Sequence, residues 1–402
     1  MTHRLYYTDP YLREFDATVV SVGARGDRAA VVLDRTAFYP TSGGQPFDIG
    51  TLGAWRVVDV VDEDDGTIAH LVDESLPGAT NPPAAGQAVH GAIDWTRRFD
   101  HMQQHTGQHV LSAAFDKLFA IRTVSFHLGA EVSTIDLART VSPAEIDAAE
   151  REANRVVWED RPVTIRFADA EEAAKLPLRK EPVRGGTLRL IEVENFDLSA
   201  CGGTHVSRSG GIGLIAVSAS ERFKGGQRIE FMCGGRALRR FQTLRDSTTA
   251  TVRLLSVLPE EIPAAVERMQ SDAKDQKRAL SALQTELARF RAEELAHAAE
   301  AIPAGKLVLR SIDGDAATLK SLAMAIAARS GHVVVLVSQL RPLLIVVARS
   351  ADASIAAQSV VADLTKQFGG RGGGKPDLAQ AGGLDADADT VLAAARDVVS
   401  RS

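Results

Sequence analysis

The sequence predicts a multidomain α+β fold: an N-terminal small β-barrel, a mixed α+β domain, a long helical spacer and a C-terminal α/β domain. Residues 17–95 hold short apolar runs separated by glycine-rich turns, a pattern typical of a small barrel. Residues 236–300 contain no glycine and are rich in Arg, Glu, Ala and Leu, which indicates long helices. From residue 306 onward, strand and helix patterns alternate as they do in α/β domains.

The composition is that of an ordinary globular protein. The 402 residues allow two to four domains, and 45% are hydrophobic and 24% charged. No stretch approaches the roughly 20 apolar residues of a membrane helix, and residues 1–10 lack a secretory signal. Two cysteines are too few for a disulfide scaffold. We therefore expect a cytoplasmic protein without membrane contact. The net charge of -6 excludes a general basic coat for nucleic acid but leaves room for local basic patches.

The expected boundaries are 1–95 for the barrel, 96–235 for the mixed domain, 236–303 for the spacer and 304–402 for the C-terminal domain. Residues 78–86, with two prolines, predict a loop after the barrel. The spacer is expected to form a coiled helical pair that breaks near Pro259 and Pro263. The simplest interpretation is that it holds two domains apart.

Residue patterns place the main elements of the last three regions. Helical spacing predicts a helix over 97–119, and a capping box at Ser142 with Pro143 predicts a second helix ending near residue 159. Further strands are expected at 134–137, 163–167, 188–193, 212–218 and 228–231, and a short helix at 170–176. In the C-terminal region strands are expected at 307–311, 332–337 and 343–348, with helices at 316–329 and 354–368, a glycine-rich segment at 369–383 and a last helix.

Four side chains have the spacing of a metal site. His105 and His109 are four residues apart, so on a helix both rings lie on one face. After 91 further residues, Cys201 and His205 flank the sequence GGT, whose glycines allow a tight turn. Thiolate and imidazole are ligands that Zn²⁺ prefers. We expect zinc at these four residues, and we expect His101 and His127 to lie on the polar surface or behind the ligands.

These motifs resemble a known family. The sequences HTGQH (105–109), CGGTH (201–205) and GQRIE (226–230) resemble the editing domain of alanyl-tRNA synthetase, and still more its free-standing relatives, the AlaX editing proteins. FYPTSGGQP (38–46) is similar to the glycine-rich loop of that family's barrel, and residues 369–383 resemble the DHHA1-like domain that closes these synthetases and occurs in DHH phosphoesterases. The motifs occur in the family's order over nearly the whole chain. The barrel begins within about the first 20 residues, so the long AlaX type, without amino-acid activation, is the expectation.

The resemblance implies a function. It implies a trans-editing hydrolase that removes serine, with glycine as a second candidate, from mischarged alanine tRNA by zinc-dependent ester hydrolysis. Zinc would polarise the ester, activate water or grip the amino group. A second hydrolytic site is needed because one small group changes binding by only about 1–3 kcal/mol. The family's association with ATP and nucleotide binding is carried over as an expectation.

The resemblance also suggests site residues. The expected catalytic residues are Thr106, Gln108 and Cys201. Substrate contacts are expected from the barrel loop and from one arginine: Thr41, Ser42, Gly43, Gly44, Gln45 and Arg228. The loop could equally be a tight hairpin turn. Synthetases often have Thr where this chain has Gln108, and some have Gln where this chain has the sequence VSFH (124–127), so the residue that orients water or substrate stays open.

The expected partner is the acceptor end of alanine tRNA, and a homodimer through the spacer or the C-terminal domain is also expected. Basic side chains are clustered at 179–189 and 236–240 and, beside a family motif, at Arg222, Lys224 and Arg228. Three alternatives remain: a non-catalytic tRNA-binding protein with a structural zinc, a phosphodiesterase, and an editor of another aminoacyl-tRNA. Asp100 and His101 do not complete the segment that DHH phosphodiesterases need.

Overall fold

The structure is a computed structural model that describes residues 1–73, 83–179, 187–303 and 305–401. It consists of two compact units, Met1–Ala250 and Thr251–Ser402. Most of the loop predicted at 78–86 lies outside the described residues, as do Lys180 and Arg184 of one predicted basic cluster. The chemically suggestive motifs at 38–46, 105–109 and 201–205 all belong to the first unit.

The N-terminal region forms the predicted barrel. Six strands close in the order β2-β3-β7-β6-β5-β8. Alternate residues of the longest strand, including Phe15, Ala17 and Val19, point into the core, as period-two patterning requires. The strands are β1 (His3–Arg4), β2 (Glu14–Arg25), β3 (Arg28–Leu33), β4 (Arg35–Thr36), β5 (Gly50–Leu52), β6 (Trp55–Asp62), β7 (Ile68–Asp73) and β8 (Ala88–Ile93).

A buried helix, α1 (Trp95–Phe119), follows the barrel. Its N-cap Asp94 accepts a hydrogen bond from the Arg97 amide, and nearly every side chain from the second turn to Phe115 is buried. Arg98 and Asp48 form a fully buried ion pair, in which Arg98 Nε lies 3.0 Å from Asp48 Oδ2. This pair attaches the start of α1 to the barrel loop and so fixes the position of the loop relative to the helix.

Two antiparallel sheets and a second helix surround α1. The sheets have the strand orders β14-β15-β10-β9 and β11-β12-β13. The capping box predicted at Ser142 is present. The elements are β9 (Thr123–Leu128), β10 (Ser133–Leu137), α2 (Pro143–Trp158), β11 (Val163–Ala168), α3 (Ala170–Ala174), β12 (Leu188–Val193), β13 (Asp197–Ala200), β14 (Ile215–Phe223) and β15 (Gly226–Cys233).

Three details of this region differ from the sequence prediction. The strand expected at 212–218 begins only at Ile215, because Ser209–Ile212 forms a 3-10 turn that ends at Gly213 with φ 83°. Strands β9 and β13 were not predicted, although polar and apolar residues alternate in both; each is short. Strand β13 matters for the site, because the Cys201–His205 turn follows it directly.

Two long helices follow, α4 (Gly234–Leu255) and α5 (Ile262–His297). The predicted break occurs at residues 256–261, where Pro259 opens a 3-10 turn. Pro263, in contrast, lies in the first turn of α5, where a missing amide N–H is tolerated. The expected coiled pairing of the spacer stays a prediction.

The second unit ends in the expected α/β domain. Its six strands have the order β16-β17-β18-β19-β21-β20, and alternate strand residues pack against α6 on one face and against α7 and α8 on the other. The glycine-rich segment forms two strands that were not predicted, since glycine lacks the side chains that make a strand recognisable. The elements are β16 (Glu300–Ile302), β17 (Gly305–Ile312), α6 (Ala316–Ala327), β18 (His332–Ser338), β19 (Leu343–Arg349), α7 (Ala357–Phe368), β20 (Arg371–Gly374), β21 (Leu378–Leu384) and α8 (Ala388–Arg401).

Candidate metal centre and adjoining cavity

The four predicted ligands come together. His105 and His109 lie one turn apart on α1, with ring centroids 5.4 Å apart, and the His205 ring lies 4.5 Å and 4.8 Å from theirs. The ligand atoms of these residues and of Cys201 all lie within 4.8 Å of one another. His101 and His127 were not expected to be metal ligands. His101 is buried and lies outside this group, and His127 is exposed.

The donor geometry fits zinc. Cys201 Sγ lies 3.4 Å from His105 Nε2 and 3.3 Å from His205 Nε2. Tetrahedral zinc with ordinary Zn–S and Zn–N bonds places a sulfur and a nitrogen about 3.5 Å apart. Gly203 makes this approach possible, because a Cβ there would lie 2.2 Å from His105 Cε1. The two sulfur–nitrogen distances therefore match those of one tetrahedral ion.

The protonation states also suit a metal site. Burial raises the pKa of the Cys201 thiol, but its electrostatic interactions and hydrogen bonds with the surrounding histidines, His105 first, outweigh the effect of burial and hold the pKa well below its ordinary value. Burial lowers the pKa of His205 to about 3, which favours neutral imidazole. For His109, burial acts in the same direction, but hydrogen bonds to Asp197 and Cys201 raise its pKa to about 9. A bound cation would replace that proton.

Each imidazole has a hydrogen-bond partner on its far nitrogen. Asp197 Oδ2 lies 2.9 Å from His109 Nδ1, and Gln45 Oε1 lies 2.9 Å from His105 Nδ1. Thr106 Oγ1 lies 3.2 Å from His205 Nδ1 and donates its own proton to the Met102 carbonyl. In all three rings the other nitrogen, Nε2, is left for a metal. Such outer partners orient metal-binding histidines.

A cavity of about 190 Å³ adjoins the centre. Its lining comprises Tyr39, Ser42, Gly43, Gln108, His109, Thr123, Val124, Ser125, Phe126, Arg179, Ser199, Ala200, Cys201, Gly202 and Gly203. Gln108 is 2% exposed and donates from Nε2 to Ser112 Oγ at 2.8 Å. Its Oε1 is buried and has no hydrogen-bond partner among the described residues. A buried polar atom usually has a partner, either in the protein or in a water or ligand beside it.

The predicted loop residues divide into three groups. Ser42 and Gly43 line the cavity, whereas Thr41 and Gly44 are exposed and do not. Gln45 is fully buried behind His105. The backbone of the loop turns back at residue 42, whose amide bonds the carbonyl of Gln45, so successive side chains point to different sides.

Other predicted site residues lie outside the cavity. Thr106 is fully buried behind His205. Arg228 pairs with Asp136 on the neighbouring strand, and Asp136 in turn accepts a hydrogen bond from cavity-lining Ser125. Of the predicted basic clusters, Arg222 and Lys224 are exposed, whereas Arg236 and Arg189 are buried and are therefore not surface groups for tRNA.

Sequence reasoning missed two contributors to the centre. Asp197 is a buried carboxylate whose Oδ1 accepts a hydrogen bond from Arg179 Nε at 2.5 Å. Burial raises the pKa of Asp197, but the hydrogen bond from His109 and the charge of Arg179 hold that pKa well below its ordinary value. Arg189 donates to the carbonyls of Cys201 and Gly203 and thereby holds the ligand turn. Asp197 precedes Cys201 by only four residues, and that proximity was the one available signal.

Comparison with known proteins agrees with this architecture. Residues 11–97 match the family model of class II (A) tRNA synthetases, residues 188–230 match the second additional domain of threonyl and alanyl tRNA synthetases, and residues 304–401 match the DHHA1 domain. The fold and the site thus define a protein assembled from the accessory domains of alanyl-tRNA synthetases.

The curated relatives are of two kinds. The alanine–tRNA ligase of Pyrococcus abyssi is 34% identical over 94% of this chain, but the chain spans only 42% of that protein's length. The alanyl-tRNA editing protein AlaX-L of Pyrococcus horikoshii is 30% identical over 94% of both chains. The chain belongs to the AlaX-L family of alanyl-tRNA editing proteins.

Two further comparisons complete the description. A solved structure, the C-Ala domain of Aquifex aeolicus alanyl-tRNA synthetase, is 24% identical, covers 25% of this chain and 97% of its own, and has a TM-score of 0.24. The expected ATP and nucleotide binding finds no support in these similarities. Every helix within the described ranges is too short or too polar to cross a bilayer.

Proposed function

We propose that this protein hydrolyses the ester bond between serine and the 3′ end of alanine tRNA. The observation that supports the proposal best is the position of the His105, His109, Cys201 and His205 group at the wall of a small cavity that also contains an unpaired acceptor. The similarity to an alanyl-tRNA editing protein over 94% of both chains supports the substrate class.

The four ligands would hold Zn²⁺. Bound there, zinc would supply polarisation of the ester carbonyl, activation of an attacking water or a grip on the amino group. The chain itself prepares the centre: Cys201 carries a depressed pKa, and each histidine keeps Nε2 free through the partner on Nδ1. Thr106 then acts by positioning His205, since it is buried behind that ring.

Gln108 is proposed to read the amino-acid side chain. Its Oε1 accepts a hydrogen bond from the serine hydroxyl, whereas alanine and glycine would leave this buried oxygen unpaired. An unsatisfied buried acceptor costs about 1–3 kcal/mol, which corresponds to roughly 5- to 150-fold in binding. Serine is therefore the preferred substrate. Glycine, which this contact does not favour over alanine, stays the second candidate on the family resemblance alone.

The tRNA is proposed to approach the cavity mouth with its acceptor end. Exposed Arg222 and Lys224 extend from the β14–β15 hairpin and offer positive charge for phosphate. Arg179 lines the cavity and offers a further cation near the reacting ester. A homodimer through the spacer or the C-terminal domain remains an accompanying proposal.

The test compares alanine tRNA carrying serine, glycine or alanine, and follows loss of the ester. We expect rapid loss of serine, slow loss of alanine, and no loss after chelation until zinc is restored. Cys201→Ala should be inactive, whereas Cys233→Ala is the matched control, because Cys233 is buried and lies outside the ligand group. Hydrolysis that survives both chelation and Cys201→Ala would contradict the metal assignment.

One observation favours a second candidate, a tRNA-binding protein with a structural zinc. Four protein ligands can close the coordination sphere, as structural zinc sites do. Stoichiometric zinc with no turnover of any aminoacyl-tRNA would support this alternative. The phosphodiesterase alternative is weakened because Asp100 is committed to an ion pair with Arg236.

A further inference from the structure

Gln45 makes hydrogen bonds with both halves of the candidate metal centre. The side chain is fully buried, and its Nε2 donates to Thr204 Oγ1 at 2.8 Å. Its Oε1 lies 3.0 Å from the Thr204 backbone nitrogen and 2.9 Å from His105 Nδ1. The barrel loop thereby contacts the helix that carries His105 and the turn that carries Cys201 and His205.

The orientation of the Gln45 amide follows from its partners. The Thr204 backbone N–H can only donate, so the atom that faces it must be the amide oxygen. That oxygen can accept but cannot donate, and His105 Nδ1 must therefore carry the proton. The unprotonated Nε2 of His105 then lies 3.4 Å from Cys201 Sγ and is available as a metal ligand.

The three outer partners are chemically different. His109 is paired with a carboxylate, His205 with a hydroxyl and His105 with a neutral amide. Among these partners Gln45 is the one that also bonds the backbone of the ligand turn, through Thr204. Its removal would free the His105 ring and would loosen the turn at the same time.

We propose that Gln45 is a positioning residue for the metal centre: it fixes the tautomer and orientation of His105 and holds the ligand turn against it. The inference rests on the metal site of the proposed function, and it gives Gln45 a role other than contact with the serine hydroxyl. Loss of such an outer partner typically weakens metal binding by about 10–100-fold.

The experiment measures metal binding by the full-length apo-protein, not activity. Wild type, Gln45→Met and Gln45→Glu are titrated with Co²⁺, read from the visible absorption spectrum, and with Zn²⁺ in competition with a chromophoric chelator. Methionine keeps the volume but removes the acceptor. Glutamate keeps an oxygen at the position of Oε1 and places a second oxygen where Nε2 was. The Thr204 hydroxyl can turn to donate to that second oxygen.

We expect Gln45→Met to bind about 10–100-fold more weakly with an altered Co²⁺ spectrum, and Gln45→Glu to restore both affinity and spectrum. The matched control is Gln104→Met. Gln104 is equally buried on α1, but it bonds the Cys233 backbone, so the variant should lose stability without changing the metal affinity.

The outcomes separate the two proposals. Wild-type affinity and spectrum in Gln45→Met overturn the inference. If Gln45→Met does not fold, a folded Gln45→Glu that binds tenfold or more weakly than wild type also overturns it, and unchanged binding by that variant supports it. Wild-type protein that binds metal but hydrolyses no aminoacyl-tRNA contradicts the proposed function alone, since the binding comparison still stands.

Discussion

Replacing Gly203 with alanine should abolish tight zinc binding, whereas the same replacement at Gly202, one residue earlier, should preserve it. Neither glycine has a positive φ angle, so an alanine can adopt both backbone conformations. The two positions differ in what a Cβ would meet. At Gly203 it would lie 2.2 Å from Cε1 and 2.3 Å from Nδ1 of the His105 ring, and 3.0 Å from Gln45 Oε1. At Gly202 the nearest atom is the Tyr7 hydroxyl oxygen at 3.6 Å.

The size of the effect follows from these distances. Non-bonded carbon atoms pack at about 3.5–4.0 Å, so the His105 ring would have to retreat by more than about 1 Å. Metal–ligand distances tolerate only about 0.2 Å, and the ring would therefore no longer serve as a ligand. The affinity for zinc should fall by more than the about 10–100-fold that follows loss of an outer partner. Overpacking should also lower the unfolding free energy by about 1–3 kcal/mol.

The assay is competition for zinc between each variant and a chromophoric chelator, with thermal unfolding of the apo-proteins alongside. Gly203→Ala should have lost its affinity while the apo-protein still unfolds cooperatively. Gly202→Ala should match wild type in zinc affinity. The reasoning is refuted if Gly203→Ala binds zinc as tightly as wild type does, because the His105 ring would then accommodate the added Cβ and still bind the metal.

Three further results are expected. Asp197→Asn should weaken zinc binding by about tenfold or more, because His109 loses its carboxylate partner, as measured by chelator competition. Gln108→Met should reduce the preference for serine over alanine, each esterified to alanine tRNA, by roughly 5- to 150-fold, as measured by the ratio of the two hydrolysis rates. Buried His70 has a pKa lowered to about 4, so the unfolded chain takes up its proton first as the pH falls below about 6.5. The contribution of His70 to the free energy of unfolding is complete above that pH. The difference in unfolding free energy between wild type and His70→Gln, measured by chemical denaturation, should therefore shrink by about 2 kcal/mol between pH 7 and pH 5.

Each of these predictions has a control. Asp136→Asn removes a paired carboxylate that does not touch a metal ligand, and equal weakening of zinc binding in both Asp variants would contradict the first prediction. Gln103→Met alters α1 without touching the cavity lining, so a similar loss of discrimination there would contradict the second. A difference between wild type and His70→Gln that is independent of pH would contradict the third.

Elements with a strong local signal could be predicted from the sequence. The ends of helix α1 and of the capped helix α2 were predicted to within two residues. Both signals, the apolar spacing of α1 and the capping box at Ser142, are local in the sequence. The closed barrel was anticipated from its repeated short runs. Strand β13 was not, because the alternation of its four residues, DLSA, is at the lower limit of length that indicates a strand. The edge strand β20 was missed because three of its four residues are glycine.

The clustering of the four candidate ligands could be predicted for the same reason, and their hydrogen-bond partners could not. His105 and His109 share a helix face, and Cys201 and His205 share a turn, so each pair is local. Gln45 and Asp197, in contrast, are 60 and 88 residues from the histidines they orient. The sequence suggested that Gln45 meets the substrate. The structure places it behind His105, because the turn at Ser42 directs neighbouring side chains to opposite sides.

Discrimination between serine and alanine has to come from the serine hydroxyl. Both amino acids present the same ester and the same amino group, so a cation held by His105, His109, Cys201 and His205 that acts on either of those groups does not distinguish them. Discrimination requires a group that senses the side chain, and within the described lining of the cavity the unpaired Gln108 Oε1 is such a group. With Gln108 Nε2 donating to Ser112 Oγ, the oxygen of the amide is the atom left without a partner. Under the role proposed for Gln108, a ligand without a donor loses about 1–3 kcal/mol, which is comparable to what one small group contributes in a hydrophobic pocket.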